Sequence, residues 1–384
     1  MLPTIASLRH ALHRYPERSG QEQATAQRIR TFVEAHHPTE IIEQLGGHGL
    51  AVVYRFADEG PTVVIRCELD ALPLEETGDC DCRSTRAGVA HLCGHDGHMA
   101  IVAGLSPWLA EQAFGRGTVI LLFQPAEETG QGARAVRDDP RFAELRPDYL
   151  FALHNIPGEP MGTVVLVDGG FSATVHSVVV YLIGKVSHAS EPEKGRNPAR
   201  AIAEIIQALD ELTVSDLTRP DFALLTPVHL TMGQPDYGIS AGAGELHFTL
   251  RTRTEGAMQQ LKTCVNEQLT RISRKYALTW HSRWFDYFPA VANDAFCNER
   301  IRTAAHALQL KVKQPTVPYK FGEDFGWFSQ HYPVAMFGLG AGEHTPALHH
   351  TDYDFPDALL PVGTKLFQTI IKDILTTERP TLPL

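Results

Sequence analysis

Thr118-Val119-Ile120-Leu121-Leu122-Phe123, running into Gln124-Pro125-Ala126-Glu127-Glu128-Thr129-Gly130, sets the fold class. Its first half is a continuous apolar run without alternation, the pattern of a strand covered on both faces. Its second half breaks at a proline and presents two adjacent carboxylates. Tyr149-Leu150-Phe151-Ala152-Leu153 repeats the arrangement and ends in His154-Asn155. Upstream, strands are expected at 51–56 and 62–67, the latter ending in Arg66-Cys67-Glu68-Leu69-Asp70, after helices at 5–14 and 21–36 with Ser19 as a cap for the second. Strands alternating with helices specify an α/β sheet. In such sheets ligands bind at the carboxyl ends of the strands.

Between these strands lies Leu92-Cys93-Gly94-His95-Asp96-Gly97-His98, with a thiol, two imidazoles and a carboxylate close together. Thiolate and imidazole are good ligands for zinc and its neighbours. From His98 an apolar helix is expected to run to about 113. The paired Glu127-Glu128 suits a division of labour, one carboxylate on a metal and its neighbour acting as a general base. His154 stands at a strand end, and His344-Thr345-Pro346-Ala347-Leu348-His349-His350-Thr351-Asp352 supplies further ligands before a closing helix at 358–376. Each cluster is weak evidence by itself. Together they can converge on one sheet edge.

The 384 residues are too many for one simple core. The formal charge of −11 and the absence of a basic stripe exclude a nucleic-acid partner. No stretch has the length of a membrane span, and the N-terminus runs straight into a helical pattern, so a cytoplasmic location is expected. The six cysteines form no regular framework and are expected to be reduced core or ligand thiols, with Asp79-Cys80-Asp81-Cys82 a solvated loop or else a soft-metal site. Near 172 the pattern changes. Strand 175–183, helix 197–213, strands 226–233 and 244–252, helix 255–275 and strand 277–284 follow the β-α-β-β-α-β order of a ferredoxin-like domain. The first domain resumes after Phe288-Pro289 with helices at 294–308 and 322–329 and a strand at 333–338. The expected organisation is therefore 1–172 with 288–384 as one domain and 173–287 as an insertion.

These motifs resemble those of the dinuclear metallo-amidohydrolases related to aminoacylase and glutamate carboxypeptidase. The branch of hippurate hydrolases and plant indole-acetyl-amino-acid hydrolases is the most similar. The resemblance spans nearly the whole chain: Leu8-Arg9-His10…His13…Pro16-Glu17, Asp70-Ala71-Leu72-Pro73, Cys93 to His98, Gln124 to Glu128, Leu153-His154-Asn155, Gly184-Lys185…Ser187-His188-Ala189, Gly322-Glu323-Asp324-Phe325 and Leu348-His349-His350…Tyr353-Asp354-Phe355. It implies a mixed-sheet, metallopeptidase-like α/β catalytic domain carrying an inserted ferredoxin-like α+β domain that dimerises or acts as a lid. It implies two divalent metal ions, zinc on grounds of softness or else manganese, cobalt or nickel. Cys93, His95, Glu128, His154 and His349 would be the ligands, with Cys93 bridging. Glu127 would be the base acting on a water held by the metals, and His188 the oxyanion donor. Asp70 and Asp96 would orient ligands. The implied reaction is hydrolysis of an N-acyl amino acid or related N-acyl amide, by a homodimer or higher homo-oligomer.

Three departures stand out. Glu68 replaces a usual aspartate, Val186-Ser187-His188-Ala189-Ser190 replaces Gly-Gly-His-Ala-Ala, and Gly238-Ile239-Ser240-Ala241 replaces Asn-Val-Ile-Pro. The lost asparagine weakens the expectation of a free-carboxylate amino-acid product and leaves an amidase with another leaving group open. Arg251 is a candidate for substrate contact or for a surface salt bridge. Glu323 belongs to the site wall, and would mark a dipeptidase if it met a free amine. Phe171, Tyr237, Trp284 and Phe288 would make a pocket apolar if they line it.

Overall fold

The computed structural model describes residues 4–377. The chain separates into two compact units, one of 1–171, 291–316 and 323–384, the other of 172–290 and 317–322.

The first unit is built on an eight-stranded mixed sheet in the order Glu40–Leu45, Gly49–Arg55, Arg116–Gln124, Asp58–Glu68, Tyr149–Ile156, Val334–Gly340, Val164–Val165, Val312–Lys313. Its centre is parallel, Asp58–Glu68 pairing with Arg116–Gln124 on one side and Tyr149–Ile156 on the other, and the latter with Val334–Gly340. Val119 to Phe123 are fully buried, as a strand with helices on both faces requires. One face carries Ile5–Arg14, His95–Ala103 and Leu359–Thr376, whose apolar residues join the sheet in a single core. The parallel arrangement places the ends of Asp58–Glu68, Arg116–Gln124 and Tyr149–Ile156 at one edge, so the residues that follow those strands share a neighbourhood.

The second unit is a four-stranded antiparallel sheet in the order Thr279–Phe288, Thr174–Ile183, Ala243–Thr252, Ala223–Met232. Numbered along the chain this is 4-1-3-2, the ferredoxin-like arrangement. Helices Ala199–Asp210 and Glu255–Lys275 cover one face through Ile202, Ile205, Met258, Val265 and Leu269. Val317–Gly322 also belongs to this unit. The tie is visible in the hydrogen bond from the Ala173 amide to the Phe321 carbonyl.

Local expectations needed correction at several points. The helix expected from His98 to 113 starts at His95 and stops at Ala103, with a separate short helix at Ser106–Ala110. Ser19 does not cap the second helix, which spans Gln23–Glu34; its hydroxyl donates to Asp70 Oδ2 at 2.7 Å instead. The helix expected at 322–329 is only Gly326–Ser329, because Glu323 and Asp324 are drawn into buried ion pairs. Glu40–Leu45 and the two-residue strands at 164–165 and 312–313 escaped the pattern reading. The cysteines are not all reduced: Cys80 and Cys82 are joined as a disulfide, and Cys82 is buried rather than solvated. Phe171 is a core residue of the first unit. Among the described residues no helix is long and apolar enough to cross a membrane.

Candidate metal centre

His95 is the first residue of its helix because Gly94 adopts φ +90°, a turn into the helix that only glycine makes cheaply. A Cβ at Gly94 would lie 2.6 Å from Asn155 Oδ1. The turn leaves Cys93 facing the end of strand Tyr149–Ile156, with its Sγ 3.6 Å from His154 Nε2. Glu127 and Glu128 follow strand Arg116–Gln124 through Pro125 and Ala126, the latter at φ +51°. His349 is also left-handed, at φ +65°, and its amide donates to the Leu92 carbonyl at 2.8 Å. That bond ties the loop before the last helix to the Cys93 segment. Non-glycine residues in this region cluster at functional sites.

His95 Nε2 is 3.9 Å from Glu128 Oε1 and 4.0 Å from Glu127 Oε2, and His349 Nε2 is 3.7 Å from Glu128 Oε1. Ligand atoms of Cys93, His95 and His154 lie within 4.8 Å of one another, as do those of Cys93, Glu128 and His349. Cys93 is common to both triads. His95 Nε2 and Glu128 Oε1 are buried with no hydrogen-bond partner among the described residues, whereas buried polar atoms are ordinarily satisfied. A thiol, three imidazoles and a carboxylate with orphaned atoms at their meeting point fit divalent cations of the zinc type.

Electrostatics favour the same occupant. Buried Arg66 pairs with Glu68, with Glu323 at 3.0 Å and with Asp324 at 2.8 Å, and Glu127 accepts the Asp324 amide at 3.4 Å. One guanidinium therefore stands among four carboxylates. Burial, then Glu323 and Glu128, push the Glu127 carboxyl well above its ordinary range. Burial, together with Asp70, likewise moves Glu128 up to about 7, and burial moves Asp324 up to about 8. Burial lowers His154 to about 3, leaving it neutral and able to ligate. Added positive charge at this edge would hold the carboxyls ionised.

The remaining candidate residues fall in varied settings. Asp70 touches two of the candidate ligands. Its Oδ2 accepts the Glu128 amide at 3.0 Å, and its carbonyl meets His95 Nδ1 at 2.9 Å, so that His95 Nε2 faces the cluster. The Asp96 carboxylate instead meets Arg9 at 3.2 Å and His13 Nδ1 at 2.9 Å. Glu323 is buried on Arg66 and accepts the Phe325 amide at 2.9 Å. In the second unit, Arg251 donates to the Lys320 carbonyl at 2.6 Å, and burial lowers its guanidinium, with no opposing carboxylate among the described residues. His188 is exposed in the short strand Ser187–His188, and its Nδ1 accepts the Ser190 amide at 3.1 Å. In the neutral ring the proton therefore sits on Nε2.

Sequence reasoning missed the support behind the candidate ligands. Glu68 bonds His98 Nδ1 at 2.7 Å, His98 Nε2 meets Asn155 Oδ1, and the Asn155 amide reaches Tyr353. The same network continues through Arg66 and Gln124 to Asp324. The local signal was the Arg66-x-Glu68 spacing, which puts two charges on one face of a buried strand.

The model of peptidase family M20/M25/M40 matches residues 64–373. An N-acetylcysteine deacetylase of Bacillus subtilis is 29% identical over 97% of both chains. An N-acetyldiaminopimelate deacetylase of Anoxybacillus flavithermus is 29% identical over 94% of this chain and 95% of its own. Among solved structures, a dinuclear metal-binding M20 peptidase from Bacillus subtilis superposes with TM-score 0.82 at 26% identity, covering 97% of this chain and 98% of its own.

Proposed function

This chain belongs to peptidase family M20/M25/M40, and we propose that it is a metal-dependent amidohydrolase releasing an amino acid from an N-acyl amino acid. One observation carries the reading. Beside the ligand Glu128 stands a second buried carboxylate, Glu127, 4.0 Å from His95 Nε2, which a metal-storage site would not need. Cys93, His95, Glu128, His154 and His349 would hold two divalent ions, zinc or else manganese, cobalt or nickel. The ions would supply Lewis acidity toward the amide carbonyl and a nucleophilic water near neutral pH.

Glu127 takes a proton from the attacking water as its oxygen bonds to the carbonyl carbon. Glu127 then holds that proton until the C–N bond breaks, when it passes to the leaving nitrogen. His188, with its proton on Nε2, would donate to the developing oxyanion in the active site of a partner copy. Asp70 holds His95 and the Glu128 backbone in place. Arg251, which meets no carboxylate among the described residues, is assigned to the carboxylate of the released amino acid. The deacetylase names of the relatives support an acylated substrate. A dipeptidase would need a free carboxylate for the substrate amine, and Glu323 is already bound to Arg66.

We also assign a homodimer. Strand Ala223–Met232 is a sheet edge, and its Val228 and Leu230 are 60% and 48% exposed. An exposed apolar edge strand is a pairing surface, and light scattering of the purified chain tests it. The function is tested by amine release from N-acetyl, N-benzoyl and indole-acetyl amino acids, their primary-amide analogues and dipeptides, with and without chelator. Chelator-sensitive cleavage confined to acylated amino acids is expected. Dipeptide cleavage, or equal rates on the primary amides, would move the assignment to a peptidase or a general amidase.

A further inference from the structure

The loop 73–91 is closed at its base by pairing of Leu72 with Ala90, and Cys80 and Cys82 are joined within it. We infer that Cys80 and Cys82 are a thiol–disulfide couple, opened by a low-molecular-weight thiol and closed by a low-molecular-weight disulfide, that governs how tightly this loop is anchored.

The pair is poorly suited to be a structural staple. A bridge across one intervening residue closes so short a loop that it removes little entropy from the unfolded chain. It is also poorly suited to hold a metal with its neighbours His13 and Asp354. Both His13 nitrogens are taken, by Asp96 at 2.9 Å and Glu76 at 3.1 Å, and Asp354 accepts Arg9 at 2.7 Å. The setting does suit exchange. Cys80 is partly exposed between exposed Asp79 and Asp81, so an external thiolate can reach its sulfur. Cys82 is buried with Arg9 Nη2 3.5 Å from its Sγ. When an external thiolate bonds to Cys80 Sγ, the S–S bond breaks and its electron pair leaves on Cys82 Sγ beside that guanidinium. A second external thiol attacks the mixed disulfide at the external sulfur and releases Cys80. Two thiols thereby become one external disulfide, and two electrons and two protons enter the protein as two cysteine thiols.

The opened state changes the anchoring. Arg9 is shared among Cys82, Asp96, Asp354 and Asp357, so a Cys82 sulfur released from the bridge, with the thiolate character that guanidinium favours, competes with three carboxylates for it. Asp96 follows His95 directly. On the far side, the Thr77 amide donates to the Thr351 carbonyl at 2.6 Å, and the Thr77 hydroxyl to the Thr351 hydroxyl at 2.8 Å, two residues beyond His349. Loosening the loop therefore reaches both segments that present ligands.

The test equilibrates the metal-loaded wild type in glutathione buffers of varied reduced-to-oxidised ratio. It then traps thiols by alkylation and maps them by peptide mass. Cys80 and Cys82 should change together in one transition that depends on the square of reduced glutathione, while Cys67 and Cys297 are labelled only after unfolding. Limited trypsin cleavage after the exposed Arg83 and Arg86 should be at least about threefold faster in the reduced form. The Cys80→Ser/Cys82→Ser variant should be cleaved fast in every buffer. Cysteines that stay as thiols throughout, or that end as separate glutathione adducts, would overturn the inference. So would equal trypsin rates in the two forms, or an additional bound metal that protects both cysteines from alkylation.

Discussion

Replacing Gly94 by alanine removes no ligand, yet it should loosen the whole centre. Two costs add. The backbone stands at φ +90°, where a non-glycine residue costs about 1–2 kcal/mol. The new Cβ would sit 2.6 Å from Asn155 Oδ1 and 2.9 Å from its Cγ and Nδ2, closer than real contacts allow. Asn155 must move, and its amide is the buried link between His98 and Tyr353. Losing two buried hydrogen bonds costs about 1–3 kcal/mol each when partners are left unsatisfied. The total is about 3–8 kcal/mol. Gly20 is the natural control: its φ is +77°, but a Cβ there meets nothing within 4 Å, so only the backbone cost of about 1–2 kcal/mol applies. At about 2–4 °C per kcal/mol for a unit of this size, Gly20→Ala should lower the melting temperature by a few degrees and Gly94→Ala by at least twice as much. Differential scanning fluorimetry with and without metal reads both, and Gly94→Ala should also weaken metal binding in a competition titration with a chromogenic chelator. Equal melting shifts for the two variants, with metal affinity unchanged, would refute the reasoning.

Other consequences are simpler to state. Ser190→Ala removes the hydroxyl 2.6 Å from His188 Nδ1 and leaves the backbone amide there, so kcat should fall roughly two- to tenfold with KM unchanged, as for one hydrogen bond of about 0.5–1.5 kcal/mol; a changed KM in steady-state kinetics would contradict it. Arg251→Ala should raise KM for N-acyl amino acids by about tenfold or more, a charged hydrogen bond being worth about 1.5–3 kcal/mol, while leaving the matching primary amides unaffected. Burial opposes the charge on His13, but Asp96 and Glu76 outweigh it and raise the imidazole to about 10. A raised pKa contributes stability below the unfolded value near 6.5 and loses it as pH rises through about 10. The stability gap between wild type and His13→Gln, about 3 kcal/mol or more at pH 6 for a broken buried pair, should therefore shrink between pH 7 and 10 in urea melts, and a constant gap would contradict it.

The candidate ligands were legible because each sits in a short motif at a strand end, where local chemistry and sheet topology agree. The sheet was legible for the same reason: Val119 to Phe123 has no polar alternation, is short and is bounded by turn residues, as a doubly covered strand is. What stayed hidden is long-range. Arg66 meets Asp324 across 258 positions, and nothing near Asp324 announces that partner, so its segment was read as helix. Ser19 has a capping side chain, but Asp70 claims it. Gly104 caps the helix that the apolar run after His98 suggested would continue, and a Cβ there would crowd Ile5 at 2.8 Å, a contact no local pattern reveals. The Cys80–Cys82 bridge needed a loop bent enough to bring the Cα atoms to 5.2 Å, which spacing alone does not reveal.

The central claim is that Glu127 moves protons while its neighbours hold metal. Glu127→Gln keeps the shape of the side chain and removes its basicity, so the most direct measurement pairs metal stoichiometry with single-turnover amide hydrolysis on that variant. The expected result is two metal equivalents per chain, as in wild type, with substrate still bound and the hydrolytic rate down by roughly a hundredfold or more, the usual contribution of a general base. A variant that hydrolyses at nearly the wild-type rate, or one that loses a metal equivalent in proportion to its activity, would contradict the account.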